Sequence, residues 1–256
     1  MLTVGIDVGS ISAKAAVMQD GELLGGKVIL TGYNARNAGR NVFAQLLADH
    51  SIDPAAVERV VATGYGRNSV EFADKAITEI TCHAAGAHFQ DPAVRSVIDI
   101  GGQDSKAISL DSEGRVNDFA MNDKCAAGTG RFLEVMARAL EVDLDAFGNM
   151  SLKADAPAAI SSLCTVFAES EVISLIARGE KRENIIAGIH ESIGSRVLAM
   201  AKRVGVAEPV MMTGGVAKNI GVVKALESRA GVSIVVSVHA QINGAIGAAL
   251  LAANVP

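Results

Sequence analysis

The chain has no tryptophan, two tyrosines, five prolines and three cysteines in 256 residues. Each scarcity excludes something. With 4% aromatics and half of the residues hydrophobic, the core must be built from Ala, Val, Ile and Leu, as in an α/β protein. Three cysteines without an export signal do not make a disulfide framework, and the lack of a C-x2-C pair argues against zinc. No run reaches the ~18 apolar residues of a membrane span. The first residues enter a strand directly, with no basic stretch followed by an apolar one, so a cytoplasmic location and no membrane partner are expected. Lys and Arg number 23 against 28 Asp and Glu, a formal net charge of -5; without a basic stripe, nucleic acid is not an expected partner.

What is present is a repeat. Gly5-Ile6-Asp7-Val8-Gly9-Ser10-Ile11-Ser12-Ala13-Lys14 is echoed by Val97-Ile98-Asp99-Ile100-Gly101-Gly102-Gln103-Asp104-Ser105-Lys106. In both copies an apolar run ends in Asp, Gly follows two positions later, and Lys stands seven residues after the Asp. A strand-end carboxylate can hold Mg2+ directly or through water. The glycines let backbone N–H groups approach phosphate oxygens, while the serines and lysine add donors and charge. Two such turns facing each other would clamp a polyphosphate.

The rest of the chain follows the same duplication. Residues 2–9, 13–19 and 22–30 predict a strand meander with Asp20-Gly21 as a turn. A polar loop is expected over 31–41, then a helix at 42–49 and a strand at 57–63. Strands at 96–101, 105–111 and 115–121 repeat the meander, with Glu113-Gly114 as the turn. Helices follow, then a strand at 210–213 stopped by Gly214-Gly215, a helix at 217–228, a strand at 232–236 and a small-residue helix at 242–253. The expected domains are 1–95 and 96–256, with the last helix packing back on the first.

The two turns, together with Met211-Met212-Thr213-Gly214-Gly215-Val216-Ala217-Lys218-Asn219, resemble the phosphate and adenosine motifs of the actin, hexokinase and sugar-kinase superfamily. That resemblance implies two ribonuclease-H-like domains with a nucleotide cleft between them. It implies that Asp7 and Asp99 work around Mg2+ and that Gly9, Ser10, Ile11, Ser12, Ala13, Lys14, Gly101 and Gly102 surround the phosphates of ATP or ADP. Gly214, Gly215 and Lys218 would then lie along the adenosine, with Gln241 and Asn243 near its sugar or base. Gln103 is the candidate for positioning the attacking water.

Two cysteines set the chain apart from kinases. Cys125 lies in Met121-Asn122-Asp123-Lys124-Cys125-Ala126-Ala127-Gly128-Thr129-Gly130, and Cys164 in Ser161-Ser162-Leu163-Cys164-Thr165-Val166-Phe167. Each is expected immediately before a helix, where free N–H groups and the dipole favour an anion. Cys82 reads as a small buried hydrophobe. A 4Fe-4S cluster normally takes four thiolates, which a two-fold dimer of such chains would supply.

Stretches 62–68, 98–106, 121–132, 164–174, 186–190 and 212–219 resemble the ATPase activators of 2-hydroxyacyl-CoA dehydratases and their relatives, the ATPase subunits of benzoyl-CoA reductase. The resemblance implies a homodimer with one 4Fe-4S cluster per dimer, ferredoxin or flavodoxin as electron donor, and a dehydratase or reductase component as partner. One departure stands out: the first turn of the family usually has Thr where this chain has Ile11. A small-molecule kinase would need a further substrate pocket, and a filament-forming actin relative would have no use for paired cysteines.

Overall fold

Strand β1 (Leu2–Val8) is buried at every position but its first, as suits an inner strand flanked on both sides. Its neighbours are β2 (Ser12–Gln19), antiparallel, and β4 (Arg59–Thr63), parallel. Strand β3 (Glu22–Leu30) lies at the edge and alternates between exposed and half-buried residues, the period of a strand covered on one face. With β5 (Lys75–Ala76) the order is β3-β2-β1-β4-β5. The second sheet repeats the plan as β10-β9-β6-β7-β8, from β6 (Ser96–Ile100), β7 (Ser105–Leu110), β8 (Val116–Asn122), β9 (Val210–Thr213) and β10 (Ile234–Val236). The computed structural model describes residues 1–161 and 164–255; Ser162 and Leu163 of the second cysteine motif lie outside the described residues.

Helix α1 (Ala35–Asp49) covers the first sheet, placing Val42 and Leu46 among Val4, Ile6 and Ala62. It starts seven residues before the expected position. Asn34 caps it by accepting from the Asn37 N–H, and Gly39 sits so close to Val70 that a Cβ would lie 2.9 Å from its methyl. The Gly and Asn that read as loop are therefore a packing residue and a cap. Helix α2 (Glu79–Gln90) follows. Helices α3 (Gly130–Ala139), α4 (Leu144–Ser151), α5 (Thr165–Ala177), α6 (Arg182–Val204) and α7 (Ile220–Ala230) accompany the second sheet. Phe132, Met136, Phe147, Ile189 and Leu226 join Ile98, Ile100 and Met212 in one cluster; each such side chain contributes ~1.5–3 kcal/mol by leaving water. The expected helix at 217–228 divides in two: a 3-10 turn at Gly215–Lys218, then α7 capped by Asn219.

Helix α8 (Asn243–Ala252) returns to the first sheet. Ala245 and Ala249 pack on Ala16 and Met18 of β2, and Ala248 and Ala252 on Val61 and Cys82. Helix α2 meanwhile sends Ile80, Ala84 and Ala87 against Val97, Ile108 and Met211 of the second sheet. The two helices touch backbone to backbone. A Cβ at Gly247 would lie 1.7 Å from the Cys82 carbonyl oxygen, and one at Gly86 would lie 2.2 Å from that of Asn243. The chain thus crosses between the sheets twice.

Candidate nucleotide cleft and cysteine pair

Strand register builds the site. Asp7 stands opposite Lys14 on β2 and Thr63 on β4; Asp99 stands opposite Lys106 on β7 and Thr213 on β9. Directly opposed residues share a face of the sheet, so each half presents an Asp, Lys and Thr together. Behind each carboxylate is a glycine at positive φ, Gly64 (84°) and Gly214 (87°). A Cβ there would lie 2.3 Å from Asp7 Oδ1 in the first case and 2.9 Å from Asp99 Oδ1 in the second. Only glycine fits behind the acid. Thr63-Gly64 and Thr213-Gly214 form a further repeat, visible in the sequence once strand pairing is considered.

A cavity of about 690 Å3 opens over both turns. Asp7, Gly9, Ser10, Ile11, Ser12 and Lys14 line it from the first half, and Asp99, Gly101, Gly102, Gln103, Gly214, Gly215, Lys218 and Gln241 from the second. Two expected residues do not line it. Ala13 points the other way from Ser12 and Lys14, as alternation requires, and is buried in the first core. Asn243 is fully buried and donates to the His83 carbonyl at 3.0 Å, while its Oδ1 accepts from Gln90 at 2.6 Å. It is a tie between α2 and α8. The two turns also touch: a Cβ at Gly102 would lie 2.6 Å from the Ile11 side chain. Ile11 is therefore a spacer between the turns.

The charges differ between halves. Lys14 meets Asp7 alone, at 3.2 Å. Lys106 is 2% exposed and meets Asp104 at 2.5 Å, Asp99 at 3.1 Å and Glu79 at 3.2 Å. Burial opposes the charge on Lys106, but the three carboxylates hold its ammonium above the usual range. Burial likewise opposes ionisation of Asp99, yet His83, Lys106 and the Thr213 hydroxyl, 2.9 Å away, keep its carboxyl below the usual range. Burial raises the pKa of Glu79. Glu79 and His83 were missed in the sequence, although their i, i+4 spacing puts both on one face of α2. The buried Asp7 and Asp99 with the half-buried Asp104 and Glu79 outnumber the two ammoniums, and an excess of carboxylate oxygen suits a hard divalent cation. Among the described residues no three His, Cys, Asp or Glu side chains converge as a metal site, so Mg2+ there would take most of its ligands from phosphate and water.

Cys164 is exposed and is the N-cap of α5, as expected. Cys125 is half-buried and stands five residues before α3, not immediately before it. The first N–H groups of α3 are moreover already in use. Gly130 donates to the Gly101 carbonyl at 2.9 Å, and Arg131 to that of Gly102 at 2.8 Å. The second glycine turn is thus bonded to the helix that ends the Cys125 loop. Asn122 pins the loop from its other side, donating to the Cys125 carbonyl at 2.8 Å. Cys82 is buried, and burial pushes its thiol up to about 12.

Residues 4–252 match the model of one family. The chain belongs to the BadF/BadG/BcrA/BcrD ATPase family. Within reach of that family stands the activator of lactoyl-CoA dehydratase from Anaerotignum propionicum, 49% identical over 98% of this chain and 97% of its own length. The crystal structure of component A of (R)-2-hydroxyglutaryl-CoA dehydratase from Acidaminococcus fermentans is similar at a TM-score of 0.96 and 48% identity, covering 99% and 98% of the two chains. The activator of 2-hydroxyisocaproyl-CoA dehydratase from Clostridium difficile, solved with bound ADPNP, is similar at 0.94 and 44% identity, covering 99% and 95%. The paired sheets of this family member are the actin-like ATPase fold.

Proposed function

We propose that this ATPase-family chain is the activator of a 2-hydroxyacyl-CoA dehydratase, using ATP hydrolysis to drive one electron into its partner enzyme. Similarity to dehydratase activators over nearly whole chains supports the role. One observation carries the coupling: the Gly101 and Gly102 carbonyls accept from the first N–H groups of α3, joining the nucleotide turn to the Cys125 loop.

Phosphates lie between the two turns, with Lys14, Ser10 and Ser12 supplying donors and Asp7 and Asp99 holding Mg2+ directly or through water. Mg2+ held there would supply charge neutralisation at the phosphates. Gln103, exposed on the second turn, orients the attacking water. An amide cannot act as a strong base, so turnover stays slow. Loss of the terminal phosphate frees the Gly101-Gly102 turn to move, and its bonds to α3 pass that movement to the Cys125 loop.

Cys125 and Cys164 are the free thiols that reach the surface, and two chains together supply the four thiolates of one 4Fe-4S cluster. When bound, the cluster stores the electron that is delivered. Val166, Phe167, Ile173 and Ile176 are 66%, 67%, 55% and 43% exposed along α5; a second copy of the chain covers this apolar face in the homodimer. Ferredoxin or flavodoxin would be the electron donor to the protein. No helix among the described residues is long and apolar enough to cross a membrane; a cytoplasmic location is part of the proposal. The domains divide at residues 95 and 96.

Oxygen-free purification with iron and sulfide analysis tests the reading. The wild type should be a brown dimer with about four irons, and Cys125→Ser or Cys164→Ser should lose them. A colourless, metal-free monomer would overturn it. Partner affinity should also differ between ADP and a non-hydrolysable ATP analogue.

A further inference from the structure

One wall of the cleft lies away from the phosphate turns, where Gly148 of α4 and Asn219 and Ile220 at the start of α7 line the cavity. The Asn219 amide is fixed in orientation. Its Oδ1 accepts from the Gly221 N–H at 3.0 Å and the Val222 N–H at 3.2 Å, so its Nδ2 faces the other way, 3.3 Å from His190 Nε2 on α6. An amide nitrogen only donates. Nε2 must therefore be the bare, accepting nitrogen, and the proton of the neutral ring sits on Nδ1.

His190 is 1% exposed and meets Phe147 edge-on, with ring centroids 5.5 Å apart. Burial lowers its pKa to about 3, in keeping with a neutral acceptor. Nδ1 has no partner. It faces Gly221, where a Cβ would lie 2.4 Å away. A buried N–H without a partner costs ~1–3 kcal/mol, and an apolar side chain would avoid that cost. Its contact with Phe147 is one any aromatic ring could make; what the imidazole adds is the acceptor at Nε2.

We propose that His190 is a positioning residue for the nucleoside end of the cleft: by holding one N–H of the Asn219 amide, it presents the other to a hydrogen-bond acceptor on the bound nucleoside. Asn219 then reads the ligand with a donor only, because its oxygen is taken by α7. This rests on the reading that ATP and ADP bind here.

Titration calorimetry with Mg2+ and ADP on the full chain tests it. His190→Leu should weaken ADP about 10-fold, the loss of one hydrogen bond's orientation. His190→Gln, which restores an accepting oxygen, should recover most of that loss. In an Asn219→Ala background His190→Leu should add nothing, since both act through one contact. ATPase kcat at saturating ATP should fall far less than KM rises. Unchanged ADP affinity in His190→Leu, or losses that multiply in the double variant, would overturn the proposal. Should the leucine variant not fold, 15N spectra of histidine-labelled wild type decide instead. They should show Nδ1 protonated and Nε2 bare, with the Nε2 signal moving on ADP addition; a proton on Nε2 overturns it. If the wild type binds no ADP at all, the nucleotide reading fails first.

Discussion

Laid side by side, the two glycine turns share a backbone and differ in what their lysines can do. In each, the glycine two after the Asp donates to a carbonyl three residues on, Gly9 to Ser12 at 3.1 Å and Gly101 to Asp104 at 2.9 Å. The Asp, Lys and Thr registers also match. Yet where the first turn has Ser12, the second has Asp104, and Lys106 is closed in by three carboxylates while Lys14 keeps donors for a ligand. Where the first has Ile11, the second has Gln103. The repeat gives both turns one geometry, and the residues that differ give them different chemistry: in the function proposed above, the first turn grips phosphate and the second holds cation and water.

The comparison can be broken most severely at Lys106. Lys106→Met leaves the buried Asp99 and the half-buried Asp104 and Glu79 facing one another without their cation and should cost about 3–5 kcal/mol in denaturant unfolding. Lys14→Met, with one partner, should cost much less stability and more ATP affinity; equal unfolding penalties would remove the distinction. Making the turns alike is the next largest change. Ser12→Asp places a carboxylate two residues from Lys14, as Asp104 is from Lys106, and should lower ATP affinity about 100-fold, or ~2.7 kcal/mol. Gln103→Ala should reduce ATP turnover roughly 10-fold, a loss of ~1.4 kcal/mol, with little change in KM, whereas Ile11→Ala should act mainly on KM.

A separate effect is one of pH, and it rests on one residue of the second half. His190 has a folded pKa of about 3 against 6.5 unfolded, so the unfolded chain binds more protons between those values. Its share of stability is full above about pH 6.5 and drains as pH falls toward 3, with a slope of at most ~1.4 kcal/mol per unit. Denaturant midpoints across that range should be flatter in His190→Leu.

Much of this was legible because the repeat is one of register. An apolar run ending in Asp, a glycine turn and a Lys seven residues on read as a hairpin with the pair opposed, and the first two strands of each sheet follow from it. The start of α1 was not legible, since Asn34 and Gly39 signal a loop until their cap and packing partners are known. Ala13 and Asn243 stand outside the cavity lining for a different reason. Which way a side chain faces depends on strand parity in one case and on a neighbouring helix in the other, and proximity in sequence to a binding turn carries neither. The position of Cys125 was misjudged because Ala126, Ala127 and Gly128 are as compatible with a first helical turn as with the loop they form. Glu79 and His83 lie on a helix whose relation to the turns exists only in three dimensions.

The backbone contact of α2 with α8 has a mechanical consequence. Two lobes joined by a single strand of chain can swivel about any axis; two connections lying side by side, with Gly86 and Gly247 in van der Waals contact, act as a pair of hinge pins. Any opening of the mouth would then be confined to the axis through these two contacts. A side chain as small as that of alanine at residue 247 would wedge the pins apart and make the joint stiff, however intact the chemistry at either end.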